Sequence, residues 1–136
     1  MGYDHRGRCA ITGIGASDFS RASGRSALSL AVEASLAAID DAGMRCADID
    51  GVVRCEQDVV FHNDLVTALG LEHATYWGAT GTGGAAPCGM IGQAVGALLS
   101  GQATAVLAYR SLNGRSGARY GRGGSGLLFG EGPCLR

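Results

Sequence analysis

Residues 75–109, TYWGATGTGGAAPCGMIGQAVGALLSGQATAVLAY, decide the fold. Thr75-Tyr-Trp reads as a strand running into the glycine-rich stretch Gly78 to Gly84. From Ala85 to Leu99 nearly every residue is small or apolar. A helix apolar all round is a buried helix, and its glycines lower helix propensity, so close approach by neighbouring elements has to compensate. Thr104 to Tyr109 (TAVLAY) then reads as another strand. Strand, glycine turn, buried helix and strand make one β-α-β unit.

The same alternation runs back towards the N-terminus. Gly51 to Cys55 (GVVRC) is a short strand, and His62 to Leu69 a helix with Leu65, Val66 and Leu69 on its inner side. Ser26 caps a helix whose Leu28, Ala31, Val32, Ser35, Leu36 and Ile39 share a face, and Gly43 ends it in the left-handed conformation. Asp40 and Asp41 lie near that helix's negative end, a small cost. Arg8 to Ile14 (RCAITGI) is expected to be the first strand, turning at Gly13-Ile14-Gly15, with a polar loop from Ala16 to Arg25. The order β-α-β-α-β-α-β implies an α/β domain with a mainly parallel sheet covered on both faces.

Length and composition bound the function. The 136 residues suffice for one domain with a core. A hydrophobic share of 46% with 17% charged residues is globular, and a net charge of −1 gives no reason to expect nucleic acid or an anionic membrane. No run of about 18 apolar residues is present, and Met1-Gly-Tyr-Asp-His-Arg lacks a signal peptide's apolar segment, so a cytoplasmic protein is expected. Cys9, Cys46, Cys55, Cys88 and Cys134 lack CxxC spacing. That argues against a disulfide framework and a structural zinc site, and most are expected to be small buried hydrophobes.

Two glycine turns follow expected strands. Gly13-Ile-Gly-Ala-Ser-Asp fits a dinucleotide fingerprint poorly, because Asp18 stands at the third glycine position and would repel an anion. Gly81-Thr-Gly-Gly-Ala-Ala matches GxGxxA in a better context, yet lacks the Gly-Lys-Ser/Thr of a phosphate loop. It also has the construction of a nucleophile elbow, with amides and a helix dipole aimed at a developing oxyanion. A tight turn before a close-packed helix remains the alternative. Arg110, Arg115, Arg119 and Arg122 interleave with Gly and Ser. They suit a phosphate or coenzyme A contact, an arginine-glycine segment for RNA, or a solvated loop or dimer contact, the last being the expectation. His5, His62 and His73 are expected at the surface or in loops.

Four segments together resemble the thiolase superfamily, in its lipid-transfer, sterol carrier protein X-type branch. They are AITGIGASDFSR, GRSALSLAVEASLAAIDDAGM, ADIDGVV and SGQATAVLAYRSLNGRSGARYG. The resemblance covers residues 8–121 of a single domain spanning 1–136, with 122–136 a divergent tail. It implies the N-terminal half of a two-half fold, incomplete here, with a buried glycine/alanine-rich helix. It places the family's nucleophilic cysteine position on Gly84, while Cys88 lies one turn further in, where it is expected to face packed neighbours. A glycine at that position resembles the branch that cleaves β-hydroxyacyl-CoA side chains by retro-aldol chemistry in steroid catabolism. The resemblance then implies a coenzyme A thioester as substrate, approached by Gly81, Thr82, Gly83 and Gly84, with no bound cofactor or metal. It also implies a homodimer and a small OB-fold partner protein, with acid–base residues in a second half outside this chain. An acyltransferase or lipid-transfer protein using Cys88, or a degenerate binding module, stays open beside it.

Overall fold

The computed structural model describes residues 4–81 and 84–113. Helix α1 (Ala27–Asp41) starts where the sequence places it: the Ser26 hydroxyl accepts from Ser29 N at 3.0 Å. Gly43 follows at φ +64°, a conformation that favours glycine. A 3-10 turn (Cys46–Asp48) leads into β1 (Gly51–Cys55), which is buried along its whole length. Helix α2 (His62–Leu69), β2 (Tyr76–Thr80), α3 (Ala86–Leu99) and β3 (Val106–Tyr109) complete the described elements.

The sheet is parallel with order β2-β1-β3, so β1 is central and pairs Val53 with both Gly78 and Ala108. Alternate residues of β1 serve opposite faces. Val52 joins Leu65, Leu69, Ile39, Leu107 and Tyr109 in the core beneath α1 and α2. Val53 and Cys55 pack with Ala86 and Met90 beneath α3. Helices thus cover both faces, as the alternation required. Asp50 links β1 to β3, because its carboxylate accepts from Thr104 N, Thr104 Oγ1 and Ala105 N at 2.7–2.9 Å.

Two expectations fail here. The expected first strand, residues 8–14, joins no ladder among the described residues. Its backbone is committed to α1 instead. Ile14 N donates to Asp41 Oδ2 at 2.9 Å, and Gly13 and Gly15 press so close to α1 that a Cβ on either would overlap helix main chain at Ala34 or Ala38. A cavity of about 1060 Å³ lies between this segment and β3, with α1 and α3 contributing to its lining. The second failure is α3, expected to be buried all round. Only Ala86, Met90 and Ala97 of its residues are buried. Ile91 is 43% exposed, so the described residues leave one apolar face of this helix open.

Candidate functional site

Parallel strands present their carboxyl ends on one edge, where α/β sheets ordinarily receive ligands. Here β1 ends at Cys55, β2 at Thr80 and β3 at Tyr109. The glycine turn leaves β2 on that edge and runs into α3. Thr82 and Gly83, two of the four expected site residues, lie outside the described residues. Gly81 and Gly84 flank them and are both exposed. Neither has a positive φ, and a Cβ on either would meet no atom of the described residues within 4 Å. Backbone conformation and internal packing therefore do not demand glycine at these two places.

Helix α3 begins at Ala86 with Ala85 as its N-cap, and among the described residues no side-chain cap bond is made there. Pro87 fits the first turn, since it lacks the N–H that would go unpaired there. Cys88 sits in the same turn. Its expected burial is overturned: the thiol is exposed, because this face of α3 points away from the sheet. Of the described cysteines only Cys55 is buried, while Cys9 and Cys46 are half-buried. Cys134 lies outside the described residues. No group of three or more His, Cys, Asp or Glu side chains suits a metal among the described residues.

Several polar residues at this edge carry no motif and escaped the sequence reading. Arg54 is 7% exposed, with Nη1 donating to the Cys55, Glu56 and Asp58 carbonyls at 3.1–3.4 Å and its guanidinium 4.8 Å from the Phe61 ring centroid. The Asp58 carboxylate is fully buried, accepting from Arg110 Nη2 at 3.1 Å and Ser111 N at 2.9 Å. Arg110, expected in a solvated loop or dimer contact, does lie exposed beyond β3, and it is also the ion-pair partner of this carboxylate. Tyr109 Oη donates to Val60 O at 2.8 Å, and burial pushes its phenol well above the ordinary value, with Arg54 opposing and Asp58 and Asp64 adding to the rise. These contacts tie the loop after β1 to the end of β3.

Of the histidines, His5 and His73 are exposed as expected. His62 is half-buried at the start of α2, with Nε2 2.7 Å from Gly78 O and its ring 5.4 Å from that of Trp77. Arg115, Arg119 and Arg122 lie outside the described residues.

Comparison with known proteins now bears on this geometry. No protein-family model matches the chain. It is 44% identical over 126 residues to a steroid side-chain-cleaving aldolase of Thermomonospora curvata, covering 93% of this chain and 32% of the relative. It is 42% identical over 116 residues to the 17-hydroxy-3-oxo-4-pregnene-20-carboxyl-CoA lyase of Mycobacterium tuberculosis, covering 85% and 30% respectively. A solved structure described as an Ltp2-ChsH2(DUF35) aldolase matches with TM-score 0.77 and 44% identity, over 79% of this chain and 28% of that one.

The chain is similar to steroid side-chain aldolases. It spans about a third of the length of the curated relatives it matches. The resemblance to sterol carrier protein X-type thiolases is thereby corrected: these relatives carry aldolase and lyase names, and none carries a thiolase or sterol-carrier name. Four short segments of common α/β character could not separate the two, whereas identity across 126 residues does.

Proposed function

We propose that this chain is the thioester-facing N-terminal part of an aldolase that cleaves a β-hydroxyacyl-CoA side chain of a steroid or similar lipid. The observation that carries the reading is the glycine turn at the carboxyl edge of the sheet. Gly81 and Gly84 are not required by φ or by any neighbouring atom, so the room they leave serves something that approaches from outside. The names of the relatives supply the chemistry. In retro-aldol cleavage a base removes the proton of the β-hydroxyl, the C–C bond breaks, and its electron pair moves into the thioester carbonyl. The products are a ketone or aldehyde and, after protonation of the enolate, a shortened acyl-CoA. The developing enolate oxygen needs donors, and uncapped first-turn amides of α3 beside Gly84 are of that kind. The proton-transferring residues belong to parts of a relative-length protein beyond those described here, so the isolated chain is inactive in this reading.

The matched solved structure couples two protein names in its description, which supports a partner protein for the whole enzyme. A homodimer and a cytoplasmic location complete the proposal. No described helix is long and apolar enough to cross a membrane.

The test is a chimera in which residues 1–113 replace the matching first third of the Thermomonospora aldolase. Cleavage of its CoA thioester substrate should survive the exchange. Gly84→Val should then abolish turnover while leaving the thermal midpoint within a few degrees, because Gly84 is exposed and a Cβ there meets no atom of the described residues within 4 Å. Full activity in that variant would sink the reading.

A further inference from the structure

Gly81 and the start of α3, the described residues on either side of positions 82–83, are both fastened to the strand ends. At the end of β1 the fully buried Cys55 places Sγ 3.9 Å from Gly81 O, where the thiol donates a weak bond to the start of the turn. At the end of β2 the buried Thr80 donates from Oγ1 to Ala86 O at 3.3 Å, bridging the turn to the first residue of α3. The same side chain lies against the helix one turn on: a Cβ at Gly89 would stand 3.3 Å from Thr80 Cγ2. Thr80 therefore grips α3 with its hydroxyl and its methyl together. A buried hydroxyl has to find such a partner, and here it finds the helix that follows.

We infer that Thr80 and Cys55 are positioning residues that fix Gly81 and the start of α3, and so aim the first turn of α3, with Cys88, at the carboxyl edge of the sheet. The inference rests on the proposed thioester site for its purpose, but the geometry it describes is testable without that site. Both side chains are buried. Thr80 fixes where the helix begins and in which direction it points, and Cys55 fixes where the chain leaves β2.

Amide exchange and thiol alkylation on the 136-residue chain test this. In Thr80→Val the methyl contact stays and the hydroxyl is lost. Exchange in a peptide spanning residues 84–90 should quicken about fivefold, as for one lost hydrogen bond. Cys88 alkylation by iodoacetamide should change with it, while exchange in α1 stays at the wild-type rate. Thr80→Ser, which keeps the hydroxyl, should restore most of the protection. Cys55→Ser should keep the turn protected and Cys55→Val should loosen it. Thr80→Ala, which removes hydroxyl and methyl together, is the second variant should Thr80→Val fail to fold, and should quicken exchange over 84–90 at least as much. Unchanged exchange over 84–90 in both Thr80→Val and Thr80→Ala overturns the inference. So does equal quickening across α1 and α3, which marks general destabilisation. Acyl-CoA added to wild type reports separately on the site: no protection of residues 84–90 counts against the proposed function and leaves the positioning result standing.

Discussion

Removing the Asp58 carboxylate tests how the carboxyl edge is held together. Its side chain is fully buried and carries two bonds, one from Arg110 Nη2 and one from Ser111 N. Bonds to a charged group contribute about 1.5–3 kcal/mol each. Arg110 is 32% exposed, so its share is discounted for solvent screening. Asp58→Ala should then cost about 2–4 kcal/mol, a large part of the roughly 5–15 kcal/mol available to a domain. Asp58→Asn keeps an acceptor for Ser111 N and should cost less, about 1–2 kcal/mol. Arg110→Ala leaves a buried carboxylate with only an amide opposite it, and should cost at least as much as Asp58→Ala, towards the roughly 3–5 kcal/mol of a broken buried pair. The double variant should cost less than the sum, because the orphaned charge is gone. Urea unfolding followed by far-UV circular dichroism, with the slope held constant, reads all four. Asp58→Ala within about 0.5 kcal/mol of wild type, the range of ordinary surface changes, would refute the reasoning, as would strict additivity.

Gly15→Ala should destabilise by more than the roughly 1 kcal/mol of a typical substitution, since its Cβ overlaps the main chain of α1, and proteolysis near residue 15 should quicken. Burial raises the Asp50 carboxyl, but the bonds from Ala105 N and from Thr104 Oγ1 and N outweigh it and hold the group below the usual carboxylate range. A depressed folded value means that the stability it adds is present above the ordinary carboxylate pKa of about 4 and lost as pH falls through the folded value. Asp50→Asn should accordingly flatten the acid limb of a stability-versus-pH curve; an unchanged limb would exclude this role. Ser26→Ala removes the N-cap of α1 and should lower stability by about 1 kcal/mol in the same urea assay.

Legibility from sequence divided along physical lines. β1 and α2 were readable to the residue because their signals are local: a short β-branched run, and apolar positions three and four apart. The start of α1 was equally plain, since a Ser before an apolar periodic run has one dominant use. Cys88 could not be placed, because a helix of Ala and Gly gives no hint of which side faces the sheet. Asp58 and Arg110 stand 52 residues apart. No local pattern links them: the neighbours of Arg110 point to a solvated loop or dimer contact, and its exposed place beyond β3 fits a loop, but its ion pair with Asp58 is not legible from them. Thr80 falls in the glycine-rich stretch that the sequence reading sets after a strand at Thr75–Trp77; the ladder instead runs on to Thr80, and only the position of α3 gives its hydroxyl a task.

Residues 8–14 and α3 share a cause of misreading. Both carry the sequence of a fully enclosed element, RCAITGI in one and AAPCGMIGQAVGALL in the other, and enclosure is a property of what lies around them. Among the described residues the first has its amide at Ile14 bound by Asp41 and its glycines against α1, with a cavity where a ladder partner was expected. The second has a sheet beneath it and an open apolar face above. Hydrophobic pattern reports how much surface a segment is built to bury, whereas the coordinates report how much the surrounding chain buries. The excess of the first over the second is concentrated beside the cavity and on α3, the same helix whose first turn carries the candidate site.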